Sequence, residues 1–390
     1  MAPDTHNLGD GRPHVMRVYS RLEVGGIEHQ MLSLLPRLNS GRYRVSLCLL
    51  KRAGELAGEL RARGIEVHVV PFRGRLRPSG LFSLAGLFRR TRTHIVHAHA
   101  RSSITSATVA ARLARVPVVI GALHSVDTVQ GRRRIAQERL FARLRDATIA
   151  VSEGVKRNYC AAIGLDPGRV SVIYNGVDLS RFDGPPPSPA ERAALLGPLG
   201  VAPADCVITC VARLVPAKSH DVLLDAFARF LARVPQATLL LVGDGPLAAD
   251  IEEQSRRLGI AAKVVFAGAR DDVPRILRAS DISVLSSQRE GFSNVVIESL
   301  AAGLPVVATD VGGNAEAIAE GSCGLLVPVG DAAAISERLG RLAEDRGLRT
   351  RMSAAARRRA SAFSLDEAVR ATETLYDGLL RARGLSGGRS

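Results

Sequence analysis

A chain of 390 residues, 46% apolar and 23% charged with no tryptophan, has material for two α/β domains, each with its own core. No apolar run approaches the ~20 residues that a membrane span needs, and the first fifteen residues lack a signal peptide's apolar stretch, so a cytoplasmic protein is expected. The five scattered cysteines read as buried free thiols rather than a disulfide framework or a zinc site, and the net charge of +15 suits nucleic acid, anionic lipid, an anionic substrate or plain solubility.

Short apolar runs alternate with helical stretches from end to end. In the first half the predicted strands are His14–Tyr19, Tyr43–Leu50, Ile65–Phe72, Thr93–His99, Pro117–His124, Ala147–Ser152 and Val170–Tyr174. Continuous apolar strands separated by helices predict a parallel sheet covered on both faces. After the first strand comes Gly25-Gly26-Ile27-Glu28. His97 and His99 alternate to one face of their strand, and His124 ends the next. From Met1 to Asp178 there are 28 Lys and Arg against 13 Asp and Glu, whereas from Leu179 to Ser390 the count is 25 against 25. All the positive excess therefore lies in the first half. One of its clusters is the amphipathic segment Arg132–Arg145, with Ile135, Leu140, Phe141 and Leu144 among the arginines.

Asn175-Gly176-Val177-Asp178 and the prolines Pro185, Pro186, Pro187 and Pro189 then predict an interdomain linker. Beyond it the strands Cys206–Ala212, Thr238–Val242, Lys263–Ala267, Ile282–Ser286, Pro305–Thr309 and Gly324–Val327 predict a second α/β domain, and the tail from Asp331 reads as helices. Ligands belong at the carboxyl ends of such strands. Gly243-x-Gly245-x-x-Ala248 imitates a dinucleotide fingerprint, but no acidic residue ends the next strand, as a nicotinamide site requires. Asp271-Asp272 is expected to cap a helix, and the absence of Asp-x-Asp after an apolar strand implies no bound metal.

The richest segment runs from Glu290 through Gly291, Phe292, Ser293 and Asn294 to Glu298. It predicts a loop followed by a helix beginning near Ser293, whose N–H groups and dipole suit a diphosphate or sugar oxygens. Two carboxylates so placed are too far apart for a retaining glycosidase pair, which needs ~5 Å. They suit two hydroxyl-bearing parts of one extended ligand.

Glu290 and Glu298, with seven residues between them, resemble the signature of the family 4 glycosyltransferases, retaining enzymes of the GT-B architecture. Similar to that family in order along the chain are Gly25-Gly26-Ile27-Glu28, the strand ends at His99 and His124, Asn175–Asp178, Arg213 with Lys218, Val242-Gly243-Asp244-Gly245-Pro246 and Gly312-Gly313-Asn314-Ala315-Glu316.

The resemblance implies two Rossmann-like parallel-sheet domains facing a central cleft. The acceptor-side domain would be 14–178, with a C-terminal helix at about 364–385 packing back onto it. The nucleotide-sugar domain would be 179–363. It also implies roles. Arg213 and Lys218 neutralise the diphosphate, Glu290 binds the transferred hexose and Glu298 the ribose. Gly25, Gly26, Gly243, Phe292, Ser293 and Asn294 contact the donor, and His124 faces the sugar. His99 is expected to line the cleft and His97 to be packed. The family often carries an acidic residue after the second histidine, where this chain has Ala100 and Arg101.

The implied reaction is transfer of a hexose from a UDP- or GDP-sugar to a glycan or lipid-linked acceptor, in cell-surface polysaccharide or glycolipid biosynthesis. No cofactor or metal is implied. The basic first domain predicts contact with an anionic membrane at the inner face of the cell membrane, and scarce aromatics argue against nucleic acid. The rivals are a GT-B-like nucleotide-sugar epimerase and a non-catalytic basic binding protein.

Overall fold

Parallel strands buried on both faces are built mainly from apolar residues, and most strands here follow that rule, with polar exceptions such as Arg17, His97 and His99. A computed structural model describes residues 11–20, 26–39, 41–54, 56–72, 76–126 and 131–385. The chain divides into two units, Met1–Gly176 with Leu365–Ser390, and Val177–Ser364.

The first unit contains β1 (His14–Tyr19), β2 (Arg44–Leu49), β3 (Glu66–Val69), β4 (Ile95–His99), β5 (Val118–Leu123), β6 (Ala147–Ala150) and β7 (Val170–Val172). They form one parallel sheet in the order β3-β2-β1-β4-β5-β6-β7. The order reverses between β1 and β4, the place where open α/β sheets bind ligands. Every residue of β1 and β4 is buried. The last helix, Leu365–Ala382, belongs to this unit, and its Leu365, Ala368, Tyr376 and Leu380 join the core around Val15, Leu35 and Leu47.

The second unit contains β8 (Cys206–Val211), β9 (Ala237–Val242), β10 (Val264–Gly268), β11 (Ile282–Leu285), β12 (Val306–Thr309) and β13 (Gly324–Val327), ordered β10-β9-β8-β11-β12-β13. Here the switch lies between β8 and β11. The unit's first and last residues meet: the Val177 N–H donates to the Phe363 carbonyl at 3.0 Å, and Val177 pairs with Ser364 as a parallel bridge.

Three local expectations are corrected. The sixth strand ends at Ala150 rather than Ser152, because the Ser152 side chain accepts from the Val155 N–H at 3.1 Å and starts a helix instead. Asp272 stands at a helix start without capping it, because Arg270 holds its carboxylate through two bonds of 2.9 and 2.8 Å. The proline stretch is not wholly linker. Ser188 and Glu191 form a capping box, and Pro189 is the first residue of the helix Pro189–Leu196, where its missing N–H costs nothing. Among the described residues no helix is long and apolar enough to cross a membrane.

Candidate functional site

In the second unit, polar side chains collect at the carboxyl ends of β8, β11 and β12. The loop after β8 carries the exposed Arg213 and then a single helical turn, Pro216–Lys218. Lys218 Nζ donates to Glu290 Oε1 at 2.5 Å, and Ser287 Oγ donates to the same oxygen at 2.6 Å. The Lys218 and Glu290 side chains are only 23% and 12% exposed, so their pairing is shielded from solvent. Ser219 follows with φ at 48°, an uncommon conformation for a residue with a Cβ. The Ser286 hydroxyl steadies that turn, lying 2.8 Å from the Lys218 carbonyl and 3.0 Å from that of Ser219.

Two glycines bring the supporting loops into contact. At Gly312, with φ at +58°, a Cβ would lie 2.2 Å from the Glu290 carbonyl oxygen, so only glycine permits the approach. The neighbouring Gly313 N–H donates to the Gly291 carbonyl at 2.9 Å. At Gly243, with φ at +139°, a Cβ would lie 2.1 Å from the Ala212 carbonyl oxygen, beside Arg213. Thr309 Oγ1 donates to the Ser287 carbonyl at 2.6 Å, tying β12 to the turn that bears Glu290.

From Glu290 the chain passes through the buried Phe292, whose ring meets Phe363 at 5.1 Å between centroids, into the helix Asn294–Ala302. Ser293 caps it, its side chain accepting from the Val296 N–H. The helix's positive end therefore follows shortly after Glu290 in the chain, a place suited to anionic oxygens. Glu298 sits a turn further on, partly exposed. Burial raises its carboxyl to about 7, against the opposing pull of the Arg181 cation.

The first unit holds a different cluster. Arg17, 2% exposed in the middle of β1, lies in register with His97 of β4. Its Nη1 is 2.7 Å from His99 Nε2, and His99 Nδ1 is 2.8 Å from His124 Nε2. His97 Nδ1 is 2.7 Å from the Tyr376 hydroxyl. Tyr19 stacks on His99 at 4.1 Å between centroids, and His97 stacks on His99 at 4.3 Å. Burial, with the Arg17 charge adding to it, drives the His124 imidazole down to about 4. His97 and His99 fall well below the ordinary imidazole range, burial again being the main cause. His99, expected to line a cleft, is as buried as His97, because His124 and Tyr19 cover it. Ala100 after it has φ at 62°.

Lys218 and Glu290 are thus bonded to each other, with Phe292, Ser293, Asn294 and Glu298 following on the same loop and helix. Arg213 shares the loop of Lys218, and His124 belongs to the first unit. Gly25 lies outside the described residues, and Gly26 opens the helix Gly26–Leu38. Sequence reasoning missed Ser286, Ser287, Thr309, Arg181, Tyr376 and Arg17. Of these only Arg17 left a signal, a cation inside an otherwise apolar strand. Among the described residues no group of three or more His, Cys, Asp or Glu is placed to hold a metal ion.

Two family profiles match the chain: "Glycosyltransferase Family 4" over residues 24–181 and "Glycosyl transferases group 1" over 197–359. A D-inositol 3-phosphate glycosyltransferase of Rhodococcus jostii is 36% identical over 64% of this chain and 54% of its own length. One from Streptomyces bingchenggensis is 31% identical over 74% and 67%. The chain therefore spans between about half and two thirds of these relatives' length. An Escherichia coli UDP-Gal:alpha-D-GlcNAc-diphosphoundecaprenol alpha-1,3-galactosyltransferase is 28% identical over 76% of this chain and 78% of its own. Among solved structures, a glycosyltransferase from Rickettsia africae superposes with a TM-score of 0.84 at 21% identity, covering 95% of this chain and 99% of that one. HepE of Anabaena in complex with UDP and glucose gives 0.79 at 25% identity, covering 93% and 99%.

Proposed function

The chain belongs to the family 4 glycosyltransferases, of GT-B architecture, and from that premise we propose that it is a retaining hexosyltransferase using a UDP- or GDP-sugar. The acceptor is a glycan or a lipid-linked glycan, in cell-surface polysaccharide or glycolipid assembly at the inner face of the membrane. The observation that carries the reading is the bonded group of Lys218, Glu290 and Ser287 at the carboxyl end of the second sheet, next to a capped helix start.

Each part has a task. Arg213 and Lys218 meet the diphosphate and stabilise the charge that grows on it as the anomeric C–O bond breaks. Glu290 then takes hydroxyls of the hexose, and Glu298 those of the ribose. His124 faces the transferred sugar. The acceptor oxygen bonds to the anomeric carbon on the face that the phosphate leaves, and its proton passes to a phosphate oxygen. A diphosphate acceptor like that named for the Escherichia coli relative would find its countercharge in the first half, which alone carries the +15.

The test is a panel of nucleotide sugars scored for binding and transfer, with Lys218→Ala, Glu290→Ala and Arg213→Ala as controls. Each variant is expected to stay folded and lose about tenfold or more in transfer, the worth of one charged hydrogen bond. Wild-type turnover in the Lys218 and Glu290 variants refutes the site.

A further inference from the structure

The buried cluster of the first unit contains an arginine that pairs with no acid among the described residues. Arg17 lies inside the sheet, its Nε and Nη2 without hydrogen-bond partners, and the charged and titratable groups acting on the three rings are Arg17, the rings themselves and the Tyr376 hydroxyl on His97. Tyr19 from β1 and Tyr376 from the last helix complete the surroundings.

A guanidinium can only donate. Arg17 Nη1 stands 2.7 Å from His99 Nε2, so that nitrogen must offer its lone pair. His99, kept neutral, then carries its proton on Nδ1. That N–H stands 2.8 Å from His124 Nε2, which must accept in turn. His124 is left with its proton on Nδ1, and that nitrogen is buried without a partner. A doubly protonated ring at either position would set N–H against N–H, so the chain of bonds admits one arrangement.

We propose that Arg17 acts through His99 to hold His124 as the neutral Nδ1–H tautomer, so that His124 meets bound substrate as a hydrogen-bond donor and not as a base. Arg17 and His99 are positioning residues in this scheme. The catalytic consequence rests on the reading of His124 as the side chain that faces the transferred sugar. A buried N–H without an acceptor is costly, and a sugar hydroxyl oxygen supplies what it lacks.

The tautomers are read directly in the full chain labelled with 15N-histidine, by long-range 1H–15N correlation assigned with single His→Gln variants. The expected spectrum shows His99 and His124 with the proton on Nδ1, unchanged from pH 5.5 to 8. Arg17→Met should bring in the Nε2–H form and lower kcat about tenfold at unchanged donor KM, one lost hydrogen bond in the transition state. Arg17→Lys, which restores a cationic donor, should recover both. A wild-type His124 protonated on Nε2 overturns the proposal, and so does an Arg17→Met protein with wild-type tautomers and kcat. If Arg17→Met does not fold, the wild-type spectrum alone decides the tautomer. A fully active His124→Ala overturns the catalytic consequence and the sugar-facing reading together, while the spectrum judges the relay separately.

Discussion

Glu298 gives a sharp test of the proposed donor contact, because its carboxyl is raised to about 7 while those of its class ordinarily titrate near 4.5. If ribose hydroxyls donate to it, the carboxylate is the form that binds. At pH 6 only about a tenth of it is ionised, so affinity should be roughly tenfold, or ~1.4 kcal/mol, weaker than above pH 8. A nucleotide sugar is the right probe, since its diphosphate diester does not titrate between pH 5.5 and 8. His124 and His220, both pushed to about 4 chiefly by burial, stay neutral across that window. Calorimetric titration should therefore show affinity rising through pH 6 and levelling above about 7, with proton release that vanishes in Glu298→Gln. Equal affinity from pH 5.5 to 8, or the same slope in Glu298→Gln, refutes the assignment.

The same burial governs stability. The folded protein keeps a proton on Glu298 that the unfolded chain has already lost, so this residue's cost grows as pH rises from 4.5 to about 7. Glu298→Gln should then stabilise the protein at pH 8 by up to ~3 kcal/mol and hardly at all at pH 4, as read by urea unfolding. Gly312→Ala, whose methyl would strike the Glu290 carbonyl oxygen, should cut transfer about tenfold or more while circular dichroism stays native. Ala100→Gly relieves a left-handed alanine and should raise stability by about 0.5 kcal/mol, the surplus over glycine's entropy cost. The helix Arg132–Arg143 exposes Leu140, and Leu144 just after it is also exposed. Sedimentation with anionic vesicles should show salt-sensitive binding of the wild type, and binding indifferent to lipid charge argues for a soluble acceptor.

The sheets were legible because parallel strands covered on both faces are mostly apolar, so β5 and β13 stand out as unbroken runs and most of the others as nearly continuous ones. Their ends were less so. Whether Ser152 extends a strand or starts a helix depends on which neighbour its hydroxyl meets, and Asp272 was diverted from its helix by an arginine two residues away. Glu290 and Glu298 were readable by spacing, but the pairing of Glu290 with Lys218 joins residues that only the fold brings together. Arg17 was missed for the opposite reason. A cation in a core strand breaks the pattern, yet the pattern does not say that it points at His99.

The joined ends of the second unit make it a cartridge. Val177 and Ser364 lie side by side, so the chain enters and leaves the whole second unit through one doorway. Homologous halves can be exchanged by cutting at that doorway alone, with neither sheet interrupted. A short peptide can equally close it into a ring and open new ends elsewhere on the same half. Whatever specificity the second unit carries is then transplantable as a single block, while the seven-stranded sheet and its last helix stay behind.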